Sequence, residues 1–443
     1  MRVVIVGGGT DGSYLAERLI AEGEDVALIE ADADRAAHLR ETLDALIVVG
    51  NGASPKVQTR AGVPSADLFI AVSDNDGANV VACQTASTLG VVRTVARVED
   101  RDLRHVVEAP GLEAVIDSRE STARKLVALV KHGGVSDLVR FADTELYVVG
   151  GIIQPNSGLV GTPLSDLRGQ LSGWDCIVAA VIREGSTIIG RGDTSIEAFD
   201  RVLLVVKTGS LPDAVRAMGI RLQPSERAIV VGGGRVAEVS AELLADAGID
   251  VVLVHDDAER CRAIALRHRE FEVVVGDSSN PTTLRSLGVG PRDAVLGLTR
   301  QDERNILACL IGNALGASTT IARYSRLTLF GLLPVTGIVA TVSSKLAVAN
   351  SVLRFVRRGA TLSVATFMAS DIEALEIEVR DGAPACGVAL SDLDFPAGAV
   401  LGGVLRADQA IIPTGATEIA AHDRVVVLAL PGAIPAIERL FTA

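Results

Sequence analysis

Aromatic residues make up only 3% of this 443-residue chain, with a single Trp. Small aliphatic side chains must therefore fill its core, as expected where parallel strands are covered by helices on both faces. Basic charge is also short. Lys and Arg number 42 against 55 Asp and Glu, a formal net charge of −13. Phosphate repulsion argues against a DNA or RNA binder, which needs a basic footprint. The five cysteines (83, 176, 261, 309 and 386) form no C-x-x-C pair. They read as buried thiols in a reducing compartment, and no metal site is expected. Long apolar runs are missing too. The opening Met1–Gly7 run is too short for a signal sequence and predicts a cytosolic start. The uncharged stretch Leu327–Ser344 is broken by Gly331, Pro334 and Gly337. It reads as a helix tail, a turn and a buried strand rather than a membrane span.

What is present is a repeat. Apolar residues at 48% and charged residues at 22% are globular, and the length suits about three domains of roughly 150 residues. Val3-Val4-Ile5-Val6-Gly7-Gly8-Gly9 recurs as Ala228-Ile229-Val230-Val231-Gly232-Gly233-Gly234. Three further matches hold a constant offset of 226 residues: Gly50–Pro55 with Gly276–Pro281, Asn79–Cys83 with Asn305–Cys309, and Ala96–Val98 with Ala322–Tyr324. Later segments repeat as well, Gly161–Leu167 as Gly387–Leu393 and Asp200–Val205 as Asp423–Leu428. The chain is one two-part unit copied twice.

The first part alternates strand and helix. Strands are predicted at Val3–Val6, Val26–Ile29, Leu46–Val49, Leu68–Val72, Thr94–Val98 and Ala114–Ile116, and a first helix at Ser13–Ala21. This is the pattern of an α/β fold, a doubly wound parallel sheet of Rossmann type. The second part reads as a small α+β lobe, with strands at Leu146–Val149, Cys176–Val181, Thr187–Ile189 and Arg201–Val206. Between the parts lies a helical stretch, Thr122–Val139, matched by Lys345–Arg357. Leu126, Leu129, Val130 and Leu138 make one apolar face there. Such a face must be buried away from its own sheet, and a dimer partner is the natural cover. The expected organisation is a Rossmann-type domain over 1–121, crossover helices over 122–140 and a lobe over 141–210. A second Rossmann-type domain over 225–344, a crossover helix over 345–360 and a lobe over 361–443 follow.

Gly7-x-Gly9-x-x-Gly12 follows the first strand and opens the first helix. Such glycines allow a tight turn and close approach of a pyrophosphate to the free N–H groups of a helix start. Glu30, 18 residues beyond Gly12, ends the second strand. It can accept from ribose hydroxyls and would repel a 2′-phosphate. The alternative is a turn that only packs strand on helix, and the anion of Asp11 favours it. In the second copy, Gly232-x-Gly234-x-x-Ala237 keeps the pattern and Arg235 adds a cation, but His255 replaces the acid.

With Gly50-x-Gly52-x-Ser54-Pro55, Val72-Ser73-x-Asn75-Asp76-x-x-Asn79, Ile321-Ala322-Arg323 and Arg354–Gly359, the whole chain resembles the TrkA family of potassium-uptake regulatory subunits. That family has two RCK (KTN) domains, each followed by a TrkA-C lobe. The resemblance implies NAD(H) or ATP/ADP as a regulatory ligand. It also implies homodimers, and homotetramers, in a cytoplasmic ring on the inner membrane face under a TrkH- or TrkG-type potassium-translocating subunit. By position it places phosphates at Gly7, Gly8, Gly9, Thr10, Asp11 and Gly12, ribose at Glu30, Ser73 and Asp74 beside the nucleotide, and Arg97 at a terminal phosphate. The second-copy counterparts are Gly232, Gly233, Gly234, Arg235, Val236, His255, Thr299 and Arg323. Arg97 and Arg323 have an ion pair at a strand end as their alternative role, and Ser73 and Thr299 a turn-capping one. The usual aspartate of the Gly50 motif is Asn51 here and survives as Asp277.

A dehydrogenase would share the turn and the acid but needs a general acid or base beside the hydride path. The six histidines (38, 105, 132, 255, 268 and 422) are isolated from one another in the sequence, and the lobes are too short for a substrate domain. A non-enzymatic regulator is therefore preferred over an NAD-dependent oxidoreductase, or over a scaffold with non-functional nucleotide sites.

Overall fold

The computed structural model describes the chain except for residues 101, 104–111, 142–144, 171–174, 326–335, 357–360, 368–369, 408 and 443, and the side chains of 168–170 and 354. Half of the Leu327–Ser344 stretch and part of the Arg354–Gly359 motif therefore lie outside the described residues. Among the described residues no helix is long and apolar enough to cross a membrane.

The β-branched runs of the first part form strands β1 (Arg2–Val6), β2 (Asp25–Glu30), β3 (Leu46–Val49), β4 (Leu68–Ala71), β5 (Thr94–Arg97) and β6 (Ala114–Ile116). Helices α1 (Thr10–Ala21), α2 (Ala33–Thr42), α3 (Pro55–Arg60) and α4 (Asp76–Thr88) connect them. The sheet order is β3-β2-β1-β4-β5-β6, all parallel. The order reverses between β1 and β4, which opens a crevice at their carboxyl ends where such sheets bind ligands. Helix α5 (Ser118–His132) follows. The first lobe then adds β7 (Asp137–Arg140), β8 (Leu146–Ile152), α6 (Leu164–Gln170), β9 (Cys176–Arg183), β10 (Ser186–Ile189), β11 (Arg201–Lys207) and α7 (Leu211–Ala217). Its antiparallel sheet runs β10-β9-β11-β8-β7.

The second copy repeats this plan. Strands β12 (Arg227–Val231), β13 (Asp250–His255), β14 (Glu272–Val275), β15 (Asp293–Gly297), β16 (Thr319–Arg323) and β17 (Ala340–Val342) form a parallel sheet in the order β14-β13-β12-β15-β16-β17. Helices α8 (Arg235–Asp246), α9 (Ala258–Arg267), α10 (Pro281–Ser286) and α11 (Asp302–Ala314) alternate with them. After α12 (Ser344–Val356), the second lobe holds β18 (Thr361–Thr366), β19 (Glu373–Glu378), β20 (Ala399–Arg406), β21 (Gln409–Ile411), β22 (Arg424–Ala429) and α13 (Ile434–Thr442). Two parallel sheets of Rossmann type thus alternate with two antiparallel lobes.

The chain divides into two compact units that cut across this order. One holds residues 1–121 with 344–358, the other 122–343 with 359–443. In the second unit, Leu126, Leu129 and Val130 of α5 are buried with Ala237, Ala241 and Leu244 of α8, in one core with Ala228 and Val230 of β12. The alternate residues Ile229 and Val231 face Ala308 and Ile311 of α11 instead, as a period of two demands. In the first unit, α12 packs on α1 and β6, with Val348, Ala349, Val352 and Leu353 fully or nearly buried. The Arg93 guanidinium donates to the Phe355 carbonyl there. Each crossover helix therefore covers the sheet of the other repeat. This corrects the expectation of a dimer partner for α5: its apolar face is buried within its own chain. The helical stretch is also shorter than expected. It ends at His132 before Gly133 and Gly134, and Leu138 lies on strand β7. Of the five thiols, Cys83, Cys261 and Cys309 are buried, whereas Cys176 and Cys386 are only partly so.

The lobes share a core in which Val148, Ala180, Leu203 and Val205 pack with Ala374, Leu405, Val426 and Leu428. An internal ion cluster fixes α5 to the first lobe. Asp137 on β7 pairs with Arg201 of β11 and, at 3.4 Å, with Lys125 of α5. Burial alone would raise the Asp137 carboxyl, but Arg201 and Lys125 outweigh it and hold it at about 2. A depressed carboxylate contributes stability above its unfolded value of about 3.9, and that stability is lost as pH falls toward 2. The pair is thus expected to contribute about 2 kcal/mol near neutral pH. Asp137→Asn should lower the thermal midpoint at pH 7 and flatten the acid limb of a pH–stability curve between pH 4 and 2. An unchanged acid limb would show that Asp137 is not the titrating group.

Candidate functional site

The first glycine bend sits where β1 ends at the crevice. Gly7 has φ +99°, and a Cβ there would stand 2.9 Å from the Ser73 backbone. Gly12 has no room either, since a Cβ would lie 1.9 Å from the Gly7 carbonyl oxygen. These two glycines are the structural requirement of the turn. Gly9 is different. It caps α1 with φ −68° and no side-chain hydrogen bond, and nothing lies within 4 Å of its would-be Cβ. The side of Gly9 where a Cβ would stand is open and Thr10 is exposed, and a helix start of this kind favours an anion.

Glu30, at the end of β2, is only 5% exposed. Its Oε2 accepts from Gly8 N–H at 2.7 Å and its Oε1 from Asp32 N–H at 2.8 Å. Each oxygen keeps acceptor capacity for a hydroxyl. Glu30 thus holds the bend in place and remains able to meet a ribose. Opposite, Arg97 at the end of β5 is buried between two carboxylates. Its Nη1 lies 2.6 Å from Asp11 and its Nη2 3.0 Å from Asp74. Burial alone would lower the guanidinium pKa, but Glu99, Asp11 and Asp74 outweigh it and raise it. The structure thus brings Gly7–Gly12, Glu30, Ser73, Asp74 and Arg97 to one edge of the sheet, with Arg97 in the ion pair.

In the sequence Asn79 stands out as part of a repeat and of the family motif, with no role assigned to it. It is fully buried and acts as a clip. Its Oδ1 accepts from Ser73 N–H and Oγ–H at 2.9 and 2.6 Å, and its Nδ2 donates to the Ser73 and Arg97 carbonyls, both at 2.9 Å. Asn305 does the same for Thr299 and Arg323 in the second copy, at 2.7 to 3.1 Å. The Ser73 and Thr299 hydroxyls are therefore engaged in shaping the strand-end bend. The recurrence of Asn at an offset of 226 was the available signal.

In the second bend, Gly232 has φ +131° and Gly234 caps α8 with nothing near its would-be Cβ. Gly233 lies against the His255 ring. His255 Nδ1 is 3.1 Å from Asp256, whose carboxyl Arg304 holds below the usual range by a hydrogen bond of 2.9 Å. The bend is anchored from α9 rather than from the strand end. Arg260 Nε donates to the Gly233 carbonyl at 2.8 Å and its guanidinium meets buried Glu238, which also pairs with Arg267 at 2.7 Å. Arg235 is exposed at the helix start and Val236 is buried behind it. Arg323 donates to the Thr299 carbonyl at 3.5 Å.

Both bends present a glycine-capped helix start at the end of a central strand; in the first, a buried carboxylate keeps acceptor capacity, and in the second, Arg235 is exposed at the helix start. The TrkA-N domain family matches residues 3–118 and 228–343, and the TrkA-C domain family residues 152–219 and 374–442. The chain is 31% identical over 452 aligned residues to the Trk system potassium uptake protein TrkA of Azorhizobium caulinodans, covering 100% of this chain and 98% of that one. It is 32% identical over its full length to the TrkA homolog of Archaeoglobus fulgidus, all of which is covered. Among solved structures, the GsuK RCK domain superposes with a TM-score of 0.61 at 16% identity, covering 99% of this chain and 94% of that one. The GsuK channel bound to NAD gives 0.60 at 16%, covering 99% and 78%, and GsuK bound to ADP gives 0.50 at 16%, covering 80% and 69%. With both domain families matched twice and full-length relatives above 30% identity, the chain belongs to the TrkA family of Trk-system potassium uptake proteins.

Proposed function

We propose that this chain is a nucleotide-sensing regulatory subunit that controls a Trk-type potassium-translocating membrane protein and performs no chemistry on its ligand. NAD(H) or an adenine nucleotide binds at the glycine bends. A ring of RCK domains, built from homodimers paired into tetramers, then rearranges beneath a TrkH- or TrkG-type partner on the cytoplasmic face. The observation that carries the reading is the open helix start at Gly9, beside a buried carboxylate that already holds the bend. The full-length relatives of the Trk potassium uptake system, and GsuK, a fold neighbour bound to NAD in one structure and to ADP in another, support it.

The crossed helices suit such a role. Residues that hold α5 and α12 also set the surroundings of α8 and α1, whose first turns would face the phosphates. A ligand shifts an arrangement only by its difference in affinity between two states. The partner should therefore bind nucleotide-loaded and nucleotide-free protein with different affinity. Equal affinities in a pull-down on membranes carrying the partner would remove the gating claim.

Calorimetry against NAD⁺, NADH, ADP and ATP tests the binding claim. Glu30→Ala removes both the ribose acceptor and the bond to Gly8 N–H. It should weaken binding at the first bend at least about tenfold, since charge-assisted hydrogen bonds contribute about 1.5–3 kcal/mol each. An unchanged affinity would take Glu30 out of the site.

A further inference from the structure

We propose that the two bends, taken as nucleotide sites as above, are specialised for different ligands. The first takes a dinucleotide held by its ribose, and the second takes an adenosine di- or triphosphate held by its terminal phosphates.

The charges decide this. At the phosphate end of the first bend, one guanidinium faces two carboxylates: Arg97 is already paired with Asp11 and Asp74 at 2.6 and 3.0 Å. An incoming terminal phosphate meets a net negative neighbourhood. At the second bend the same two positions hold Val236 and Arg300, and the position of Thr10 holds Arg235. Three guanidiniums, of Arg235, Arg300 and Arg323, therefore stand at that end. Two buried acids near that end are already engaged: Arg260 and Arg267 occupy the Glu238 carboxylate, and Asp302 accepts from the Ser325 N–H and hydroxyl. Arg235 and Arg300 are exposed, so they can reach a ligand without first leaving a buried partner. Planar guanidiniums are suited to bidentate phosphate contacts.

The ribose ends differ in the opposite sense. Glu30 offers two oxygens, Oε1 bonded to the Asp32 N–H and Oε2 to the Gly8 N–H with Arg35 at 3.5 Å, each with further acceptor capacity. His255 offers one ring nitrogen, because Nδ1 faces Asp256. A bridging pyrophosphate carries one charge per phosphorus, and a terminal phosphate carries more. The first bend grips ribose and tolerates the pyrophosphate, and the second grips phosphate and is weak at ribose.

The test exchanges the charges in the full-length chain. Arg235→Thr with Arg300→Asp gives the second bend the residues of the first, and Asp74→Arg does the reverse at the first. All three side chains are exposed, and circular dichroism checks the fold. Titrations with ADP and with NADH provide the readout. The double variant should lose ADP affinity about tenfold, the order expected for removing charge-assisted phosphate contacts, with NADH affinity unchanged. Asp74→Arg should gain ADP affinity. Unchanged ADP affinity in the double variant, or an equal loss of both ligands, overturns the assignment while the nucleotide-sensing reading survives. A parent chain that takes up neither compound overturns that reading and this assignment together.

Discussion

Gly9→Asp is expected to weaken nucleotide binding at the first bend by at least about a hundredfold while leaving the fold as stable as before or slightly more so. Gly9 has an ordinary helix-capping conformation, φ −68° and ψ −170°, and open space where a side chain would go. Aspartate is among the preferred residues at such a cap, where its advantage over glycine is roughly a few tenths of a kcal/mol. Its carboxylate would accept from the same first-turn N–H groups that a phosphate needs, and would repel that phosphate. A hundredfold change corresponds to about 2.8 kcal/mol, within reach of one lost charge-assisted anion site plus a like charge close by. Gly234→Asp, at φ −83° and ψ 167°, should do the same at the second bend. Thermal unfolding and calorimetry on the same samples separate the two effects. Full binding in both variants would mean that the helix starts are not where nucleotide sits.

Leu129→Asp should unfold the sheet of the second repeat, although Leu129 directly follows the first in sequence. Its side chain lies in the core formed by α5, α8 and β12, and 1% of it is exposed. An unpaired carboxylate there costs several kcal/mol, at least about 4 when no partner is available, a large part of the 5–15 kcal/mol typical of a folded domain. Leu353→Asp on α12, fully buried in the other unit, should act on the first sheet instead. Hydrogen exchange resolves the outcome. Protection should fall in β12–β17 for the Leu129 variant and in β1–β6 for the Leu353 variant. If each substitution exposed the sheet that precedes it in sequence, the crossed arrangement would be wrong.

The sequence made the two parallel sheets readable because every strand is a short β-branched run between helices, and because the copies check one another. Val3–Val6 and Ala228–Val231 announce the same strand. The helix boundary at His132 was also marked, by Gly133 and Gly134, but the apolar Leu138 beyond them continued the helical spacing and masked the strand. What covers α5 was not readable at all. Periodicity shows that a face is apolar and says nothing about which surface meets it. Glu30 and the glycines were found through local spacing, whereas the pairing of Arg97 with Asp11, 86 residues away, depends on the register of β5 beside β4 and β1. Asn79 was visible as a recurrence and as a motif position, but its role was not. Its work needs the ends of β4 and β5 to be neighbours, which topology alone supplies.

The exchange of α5 and α12 also bears on what one repeat would lack by itself. A repeat made alone would lose the helix that covers its sheet in this chain, and two such molecules would have to trade helices to restore it. In one chain the trade is internal, free of dilution and fixed at one copy of each half. Halves joined this way need not be identical, and here one carries a carboxylate at position 30 where the other carries a histidine at position 255.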